Sequence, residues 1–574
     1  MVSSALPPVA QRQTALEARF TTWEPRRLDE MLDAAAAEFP DRPYVITDHG
    51  SWTYREMQEW STRIAHGLVM AGVRPGEHVA VVMANFPEFV AVKYGIARAG
   101  AVCVPINVLN RRDELGYLLE QSDAVLLVVM DRFRGLDYLA FLDELAPGWE
   151  RKGGGARFER LRRVVVFPTV PGGGRPGAVH LDDLATDAHR WRPVDGVPAD
   201  SVCDVLYTSG TTGLPKGVLL SHDMLLRTAY GSAFGRAFED GRRITFSLPM
   251  YHVYGYVEGM LAALFVGGSI IPQLTFDAAG TLRAIEHHRA TDALLIPTMT
   301  MAMLDELDAA SARGTTYDLS SLTSLLSSGG ITPAGLWDRI ESMFAEVELT
   351  TAYGMSETTA STAVTRPDDP PEKRSTTNGR LKDVGVAGGG RRLVEYKVVD
   401  PATRADLPRG DVGELLVRGP GVTPGYYRKP EETAEAFADG DGWLRTGDLG
   451  RLEADDYVVL VGRVKECYRC GGEQVMPKEV ETLLTTHPAV AEAFVVPLPD
   501  RRMGEVGVAW VVLRDGTSAN TDELLAHCAS RLARFKVPRH VLFLRPGDVP
   551  RTASGRPRKF LLAERAAQVL LQQA

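Results

Sequence analysis

Residues 207–217 read Tyr-Thr-Ser-Gly-Thr-Thr-Gly-Leu-Pro-Lys-Gly. The hydroxyls of Thr208, Ser209, Thr211 and Thr212 and the bare backbone at Gly210, Gly213 and Gly217 let N–H groups and side chains approach phosphate oxygens closely. Lys216 adds a mobile cation, and the apolar run Val202–Leu206 leads into the loop. It is not the Gly-x-x-x-x-Gly-Lys-Ser/Thr loop, because Pro215 precedes the lysine and Gly217 follows it. Hydroxyls and glycines at this spacing support nucleotide phosphate binding and nothing finer. Cys467-x-x-Cys470 suggests zinc at first sight, but zinc needs two further ligands, and no second Cys pair or spaced His pair exists.

The 207–217 string closely resembles the phosphate loop of the adenylate-forming superfamily, which includes acyl-CoA synthetases, stand-alone adenylation domains and beetle luciferases. Further motifs follow in the family's order over nearly the whole chain. Thr351-Ala-Tyr-Gly-Met-Ser-Glu-Thr358 resembles the second core motif. The resemblance implies that Tyr353 stacks on adenine beside Gly354, that Thr358 contacts the α-phosphate and that Glu357 holds Mg²⁺. A carboxylate beside a triphosphate is repulsive unless a cation lies between them, and Mg²⁺ favours carboxylate plus phosphate oxygens. Gly442-Trp-Leu-Arg-Thr-Gly-Asp448 resembles the third motif, with Asp448 accepting from the ribose hydroxyls. Gly462-Arg463-Val-Lys465 resembles the domain boundary, with Arg463 near the ribose and Lys465 at the hinge.

Leu248-Pro-Met-Tyr-His-Val-Tyr-Gly255 resembles the acyl-pocket motif, in which His252 gates the site between two reactions. Amino-acid-activating members carry an Asp near this motif; none lies between Ser247 and Pro272, so an apolar, aryl or polycyclic acid is expected. Ser327-Ser-Gly-Gly330 resembles the adenine and acyl wall, through Gly329 and Gly330. Pocket residues are expected around 252–259, 298–303 and 352–362. Cys470-Gly-Gly-Glu473 resembles the turn that swings in for thioester formation, where Gly471 and Gly472 leave room for the pantetheine arm.

Two places depart from the family: Ile331-Thr332-Pro333 stands where Ala-Pro usually follows the glycine pair, and the last motif lacks its lysine. In Pro550-Arg-Thr-Ala-Ser-Gly-Arg556-Pro-Arg-Lys559 the residue after the glycine is arginine, where the family's catalytic lysine stands. Arginine keeps the charge but is a planar fork rather than a compact point charge. Three readings follow: Arg556 substitutes for the lysine, Lys559 reaches the site instead, or adenylation is impaired while thioester formation survives. The last would need a partner ligase to supply the acyl-adenylate.

The elements that must position these residues alternate. Helix-like 54–71 leads to strand-like 78–83, then to helix 86–99 and strand 102–105, a β/α order that argues for parallel sheets. Segments 153–155 and 171–176 read as exposed Gly/Pro/Arg loops. After Lys397 short β-rich runs (397–400, 413–418, 457–462) suggest a small β-barrel. From Val464 a compact α+β unit follows, with a helix at 477–485, strands near 490–496 and 507–513, and a helix at 521–532. The expected fold is therefore α/β, with a large domain over 1–463 and a small mobile one over 464–574.

Bulk properties agree. The 574 residues exceed one ordinary core, and a net charge of −10 argues against a nucleic-acid-gripping face. Five scattered cysteines imply no disulfide framework and fit a reducing cytoplasm. No apolar stretch is long enough to span a bilayer. Of the 64 basic residues 53 are arginine, a GC-rich coding bias that bears on Arg556. The implied activity is acyl-CoA ligation through acyl-AMP, using ATP, Mg²⁺ and coenzyme A. The alternatives are loading of a carrier protein and a degenerate, non-catalytic nucleotide-binding homologue. The pathway expectation is antibiotic biosynthesis or fatty acid metabolism.

Overall fold

The computed structural model describes residues 6–573 except 189–190, 195, 209–214, 330–334, 345, 385–391, 472, 553–554 and 556. Two seven-stranded sheets build the large domain. The first runs Lys216–Ser221, Val202–Thr208, Val102–Pro105, His78–Val82, Ala124–Met130, Arg163–Phe167, Val179–His180; only its Lys216–Ser221 edge is antiparallel. Ala124–Met130 is buried at every position, which is why it reads as an unbroken apolar run rather than an alternating one. The second sheet runs Glu348–Thr350, Ser324–Ser327, Asp292–Leu295, Arg243–Phe246, Ser269–Pro272, Pro43–Thr47, Gly50–Thr53 and is parallel up to its last hairpin.

The helix expected over 54–71 spans Tyr54–Met70. Thr53 and Glu56 satisfy each other's backbone N–H at its start, and Gly72, at φ 88°, closes its end. Gly153 and Gly154, expected in an exposed loop, are instead buried against Phe158 and Leu161, where a β-carbon would collide. The expected barrel takes the form of two antiparallel sheets of three and four strands. They join edge to edge where Leu381 N donates to Asp456 O and Asn378 N to Val458 O, wrapping the buried Tyr353 and Tyr396.

The chain leaves Val458–Arg463, passes through the short turn Val464–Glu466 and enters a separate five-stranded sheet. Strand Val490–Asp500 alternates sides. Ala493 and Val495 pack in one core, beneath the helices Pro477–Thr485 and Thr521–Ala529; Phe494 and Val496 pack in another with Trp510 and Leu562 of the helix Lys559–Gln573. The helix read over 521–532 stops at Ala529, and Arg531 and Leu532 turn back onto Cys528 O. Among the described residues no helix is long and apolar enough to cross a membrane.

Candidate active site

Thr208 and Lys216 are register partners in an antiparallel hairpin, so the phosphate-loop residues between them connect two strands at the sheet edge. Ser209, Gly210, Thr211, Thr212 and Gly213 lie outside the described residues, as do Gly330, Gly472 and Arg556. The Lys216 ammonium sits 4.5 Å from the centre of the Tyr426 ring, and Tyr426 OH donates to Glu357 Oε1 at 3.0 Å. Thr423 N–H holds the Glu357 carbonyl at 2.8 Å. Glu357 stands in the short turn Ser356–Thr358, where the Thr358 hydroxyl caps Met355 N at 3.1 Å. Next to it, Thr359 (φ 67°) and Ala360 (φ 146°) occupy backbone regions that side-chain-bearing residues avoid. Among the described residues no cluster of three or more acidic, His or Cys side chains exists that could cage a metal alone. A single carboxylate with one oxygen tied to Tyr426 suits Mg²⁺, which takes its remaining ligands from phosphates and water.

The residues of the third and boundary motifs also converge. Asp448 and Arg463 are cross-strand partners, with Arg463 Nε 2.9 Å from Asp448 Oδ1. Tyr353 OH donates to Asp448 Oδ2 at 2.8 Å. Each carboxylate oxygen keeps a second lone-pair direction for a further donor. Gly354 is required by a close approach: a β-carbon there would collide with the Ala360 carbonyl of the neighbouring strand.

His252 lies on the turn after Pro249, and its Nδ1 accepts from Tyr254 N at 3.3 Å. A π-helix, Tyr254–Leu261, follows. Tyr254 OH reaches the carbonyls of Leu295 (2.9 Å) and Leu326 (3.3 Å) at the ends of two parallel strands, and its ring lies 3.5 Å from where a β-carbon on Gly329 would be. Tyr254, Ile296 and Gly329 thus form one wall, tied to the second motif by Ser328 Oγ donating to Ala352 O. Glu258, in the Asp-free span, is buried, and its Oε1 is bound by Lys382 and Ser361, so its charge is already balanced within the protein.

The C-terminal loop reaches this wall. A β-carbon on Gly555 would collide with Ile296 Cδ1. The loop's described residues pair with one another: Arg551 bridges to Pro557, Gly555 N donates to Thr552 O at 2.9 Å, and Arg551 is anchored on Glu492 at 2.6 Å. Lys559 does not reach the site. Its ammonium is held by Glu466 (2.5 Å) and Glu481 (2.7 Å), and although burial alone would lower its pKa, the two carboxylates hold it above the usual lysine value.

Three groups of motif residues are therefore assembled: Thr208 and Lys216 with Glu357 through Tyr426, Tyr353 with Asp448 and Arg463, and Gly329 with Tyr254, two residues beyond His252. Gly471, at φ 63°, packs on Met503 within the small domain instead, and Lys465 is exposed in the turn that links the two sheets. Tyr426, Lys382 and the tie on Lys559 escape the sequence reading; the aromatic pair after Gly425 was the one signal for Tyr426. Cys467 donates to Arg463 O, and all five cysteines are free thiols.

The profile of the AMP-binding enzyme family matches residues 32–427, and that of the AMP-binding enzyme C-terminal domain matches 479–556. The chain is 34% identical over 551 residues to a putative acyl-CoA synthetase, YngI, of Bacillus subtilis, covering 94% of this chain and 97% of that protein. It is 34% identical over 505 residues to a feruloyl-CoA synthase of an Amycolatopsis species, covering 88% and 92%. The ATP-bound crystal structure of MatB from Rhodopseudomonas palustris superposes with a TM-score of 0.78 at 28% identity, covering 93% of this chain and 98% of that one. The chain belongs to the AMP-binding enzyme family, and its similarity to acyl-CoA synthetases makes it an acyl-CoA ligase that works through an acyl-AMP.

Proposed function

We propose that the chain is a complete acyl-CoA ligase for an apolar, aryl or polycyclic acid, and that Arg556 supplies the cation of the adenylation step. The observation that carries this reading is the docking of Gly555 on Ile296 while Lys559 is held away by Glu466 and Glu481. With Lys559 committed, the basic residue nearest the docked glycine in sequence is Arg556. The acid lies against Tyr254, Ile296 and Gly329, and its carboxylate attacks the α-phosphorus of ATP. The bond to pyrophosphate breaks, giving acyl-AMP. Thr208, Lys216 and the loop between them bind the phosphates, Asp448 and Arg463 hold the ribose, and Tyr353 and Gly354 border the adenine. Mg²⁺ on Glu357 would neutralise the triphosphate charge.

In the second step the small domain (464–574) turns about Lys465 and withdraws Arg556. Gly471 and Gly472 then line the path of coenzyme A, His252 opens, and the thiol attacks the acyl carbonyl with loss of AMP. The exposure of Lys465 in a short turn supports its hinge role, and the five free thiols support a reducing compartment such as the cytoplasm.

The test is ATP–pyrophosphate exchange over a panel of acids, with thioester formation from a supplied acyl-AMP run in parallel. Parent exchange with Arg556→Ala lowered about 10²–10³-fold supports Arg556 as the positioned charge. Exchange absent from the parent and present in Arg556→Lys would sink the reading; the chain would then thioesterify an adenylate made by a partner ligase.

A further inference from the structure

The π-helix behind the acyl wall is a rare arrangement, frequently found at functional sites. Its polar side chains reach three different parts of the site. Tyr254 holds the wall strands, Tyr256 OH donates to Asp204 Oδ2 at 3.2 Å on the strand entering the phosphate loop, and Glu258 reaches the strand that leaves Glu357. Glu258 Oε1 accepts the Ser361 backbone N–H at 3.3 Å, the Ser361 hydroxyl, and the Lys382 ammonium at 3.1 Å. Both charged groups are buried in the large domain. Burial favours the neutral acid at Glu258, but Lys382 and Ser361 outweigh it and hold the carboxyl below its usual range; burial lowers Lys382, and Glu258 opposes that.

Between Glu357 and Ser361 lie the two strained residues, Thr359 and Ala360. Such backbone persists only where its surroundings over-determine it. Upstream, Thr423 N–H grips Glu357 O, and the Thr359 hydroxyl donates to Gly421 O at 2.7 Å. Downstream, Glu258 takes both donors of Ser361. We infer that Glu258 is a positioning residue for MgATP: by accepting both donors of Ser361 it pins the strained turn, and so aims the Glu357 carboxylate at the metal. The inference rests on the assignment of Mg²⁺ to Glu357.

Two double variants isolate the acceptor from the charge. Glu258→Leu with Lys382→Met removes both charges and leaves Ser361 without its acceptor; Glu258→Gln with Lys382→Met removes both charges but keeps an amide oxygen for Ser361. Removing both members of a buried pair avoids a stranded charge. Affinity for Mn²⁺·ATP is read from the free Mn²⁺ spin-resonance signal, and thioester formation from supplied acyl-AMP is measured alongside. The Leu/Met variant is expected to bind Mn²⁺·ATP about 10–100-fold more weakly, with thioester formation and the Gln/Met variant both within about threefold of the parent. Equal affinities in the two double variants, or thioester formation that falls in step with Mn²⁺·ATP binding, would overturn the inference. A parent that does not bind Mn²⁺·ATP would remove the Glu357 assignment and this inference with it. If the Leu/Met variant does not fold, Ser361→Ala serves instead: weaker Mn²⁺·ATP binding supports the clamp, and unchanged binding overturns it.

Discussion

Gly555→Ala tests whether the C-terminal loop works where it is docked. Two costs are separable. The first is backbone: Gly555 has φ 79°, and placing an L-residue there costs about 1–2 kcal/mol. That cost belongs to the loop closed by Arg551, Thr552 and Pro557, so it is present whether or not the loop is docked. The second arises only on docking, where the new methyl meets Ile296 Cδ1. Ile296 Cδ1 is the far end of its side chain and can rotate away, so the clash costs about 1 kcal/mol, the low end for overpacking. Only the second term separates the docked from the undocked state, so the adenylation rate should fall about fivefold, at about 1.36 kcal/mol per tenfold. Thioester formation from supplied acyl-AMP should stay close to the parent rate. Ile296→Val deletes the colliding carbon, so the double variant should recover most of the lost exchange, an interaction measurable as a double-mutant cycle. The assay is pyrophosphate exchange for the parent, both single variants and the double. Additive losses, or equal losses in both half-reactions, would refute docking of Gly555 on Ile296 as a requirement of the first step.

Two further outcomes follow from the hinge-side cluster. Lys559→Met strands the buried Glu481 and should destabilise the small domain by about 3 kcal/mol in thermal unfolding, while exchange per folded molecule persists; abolished exchange in a folded variant would make Lys559 the adenylation cation. Lys478, whose pKa falls to about 8 mainly through burial, with Glu481, Lys559 and Glu466 as its charged neighbours, sits on the helix that packs against the strand ending at Arg463. Its folded pKa is depressed, so from about pH 8 up to its ordinary value of 10.5 the unfolded chain binds more protons and stability should rise with pH; Lys478→Met should flatten that rise in chemical denaturation at stepped pH.

Much of the fold was legible because its signals are local. The strand Val102–Pro105 and the helix Pro477–Thr485 match their expected bounds residue for residue, since an apolar run or a Pro start marks each within the segment itself. Gly153–Gly154 misled because glycine marks exposed turns and tight buried contacts alike, and only Phe158 and Leu161 decide which. The motif residues were found by type and order, whereas Tyr426, Lys382 and the tie on Lys559 were not, because each acts on a partner remote in the chain: 69 residues for Tyr426 and Glu357, 124 for Lys382 and Glu258, 93 for Lys559 and Glu466.

By itself the sequence determined the chemical inventory: the hydroxyls, glycines and lysine of 207–217, the carboxylates of Glu357 and Asp448, His252, and Arg556 where the resembled motif has lysine. These depend on which atoms a side chain carries. Tertiary structure alone decided that Lys559 is committed to Glu466 and Glu481, that Glu258 is neutralised by Lys382, and that Gly555 rests on Ile296. Whether a charge is available depends on what lies within a few ångströms of it, and in a parallel α/β fold those neighbours come from strands and helices far apart in the chain.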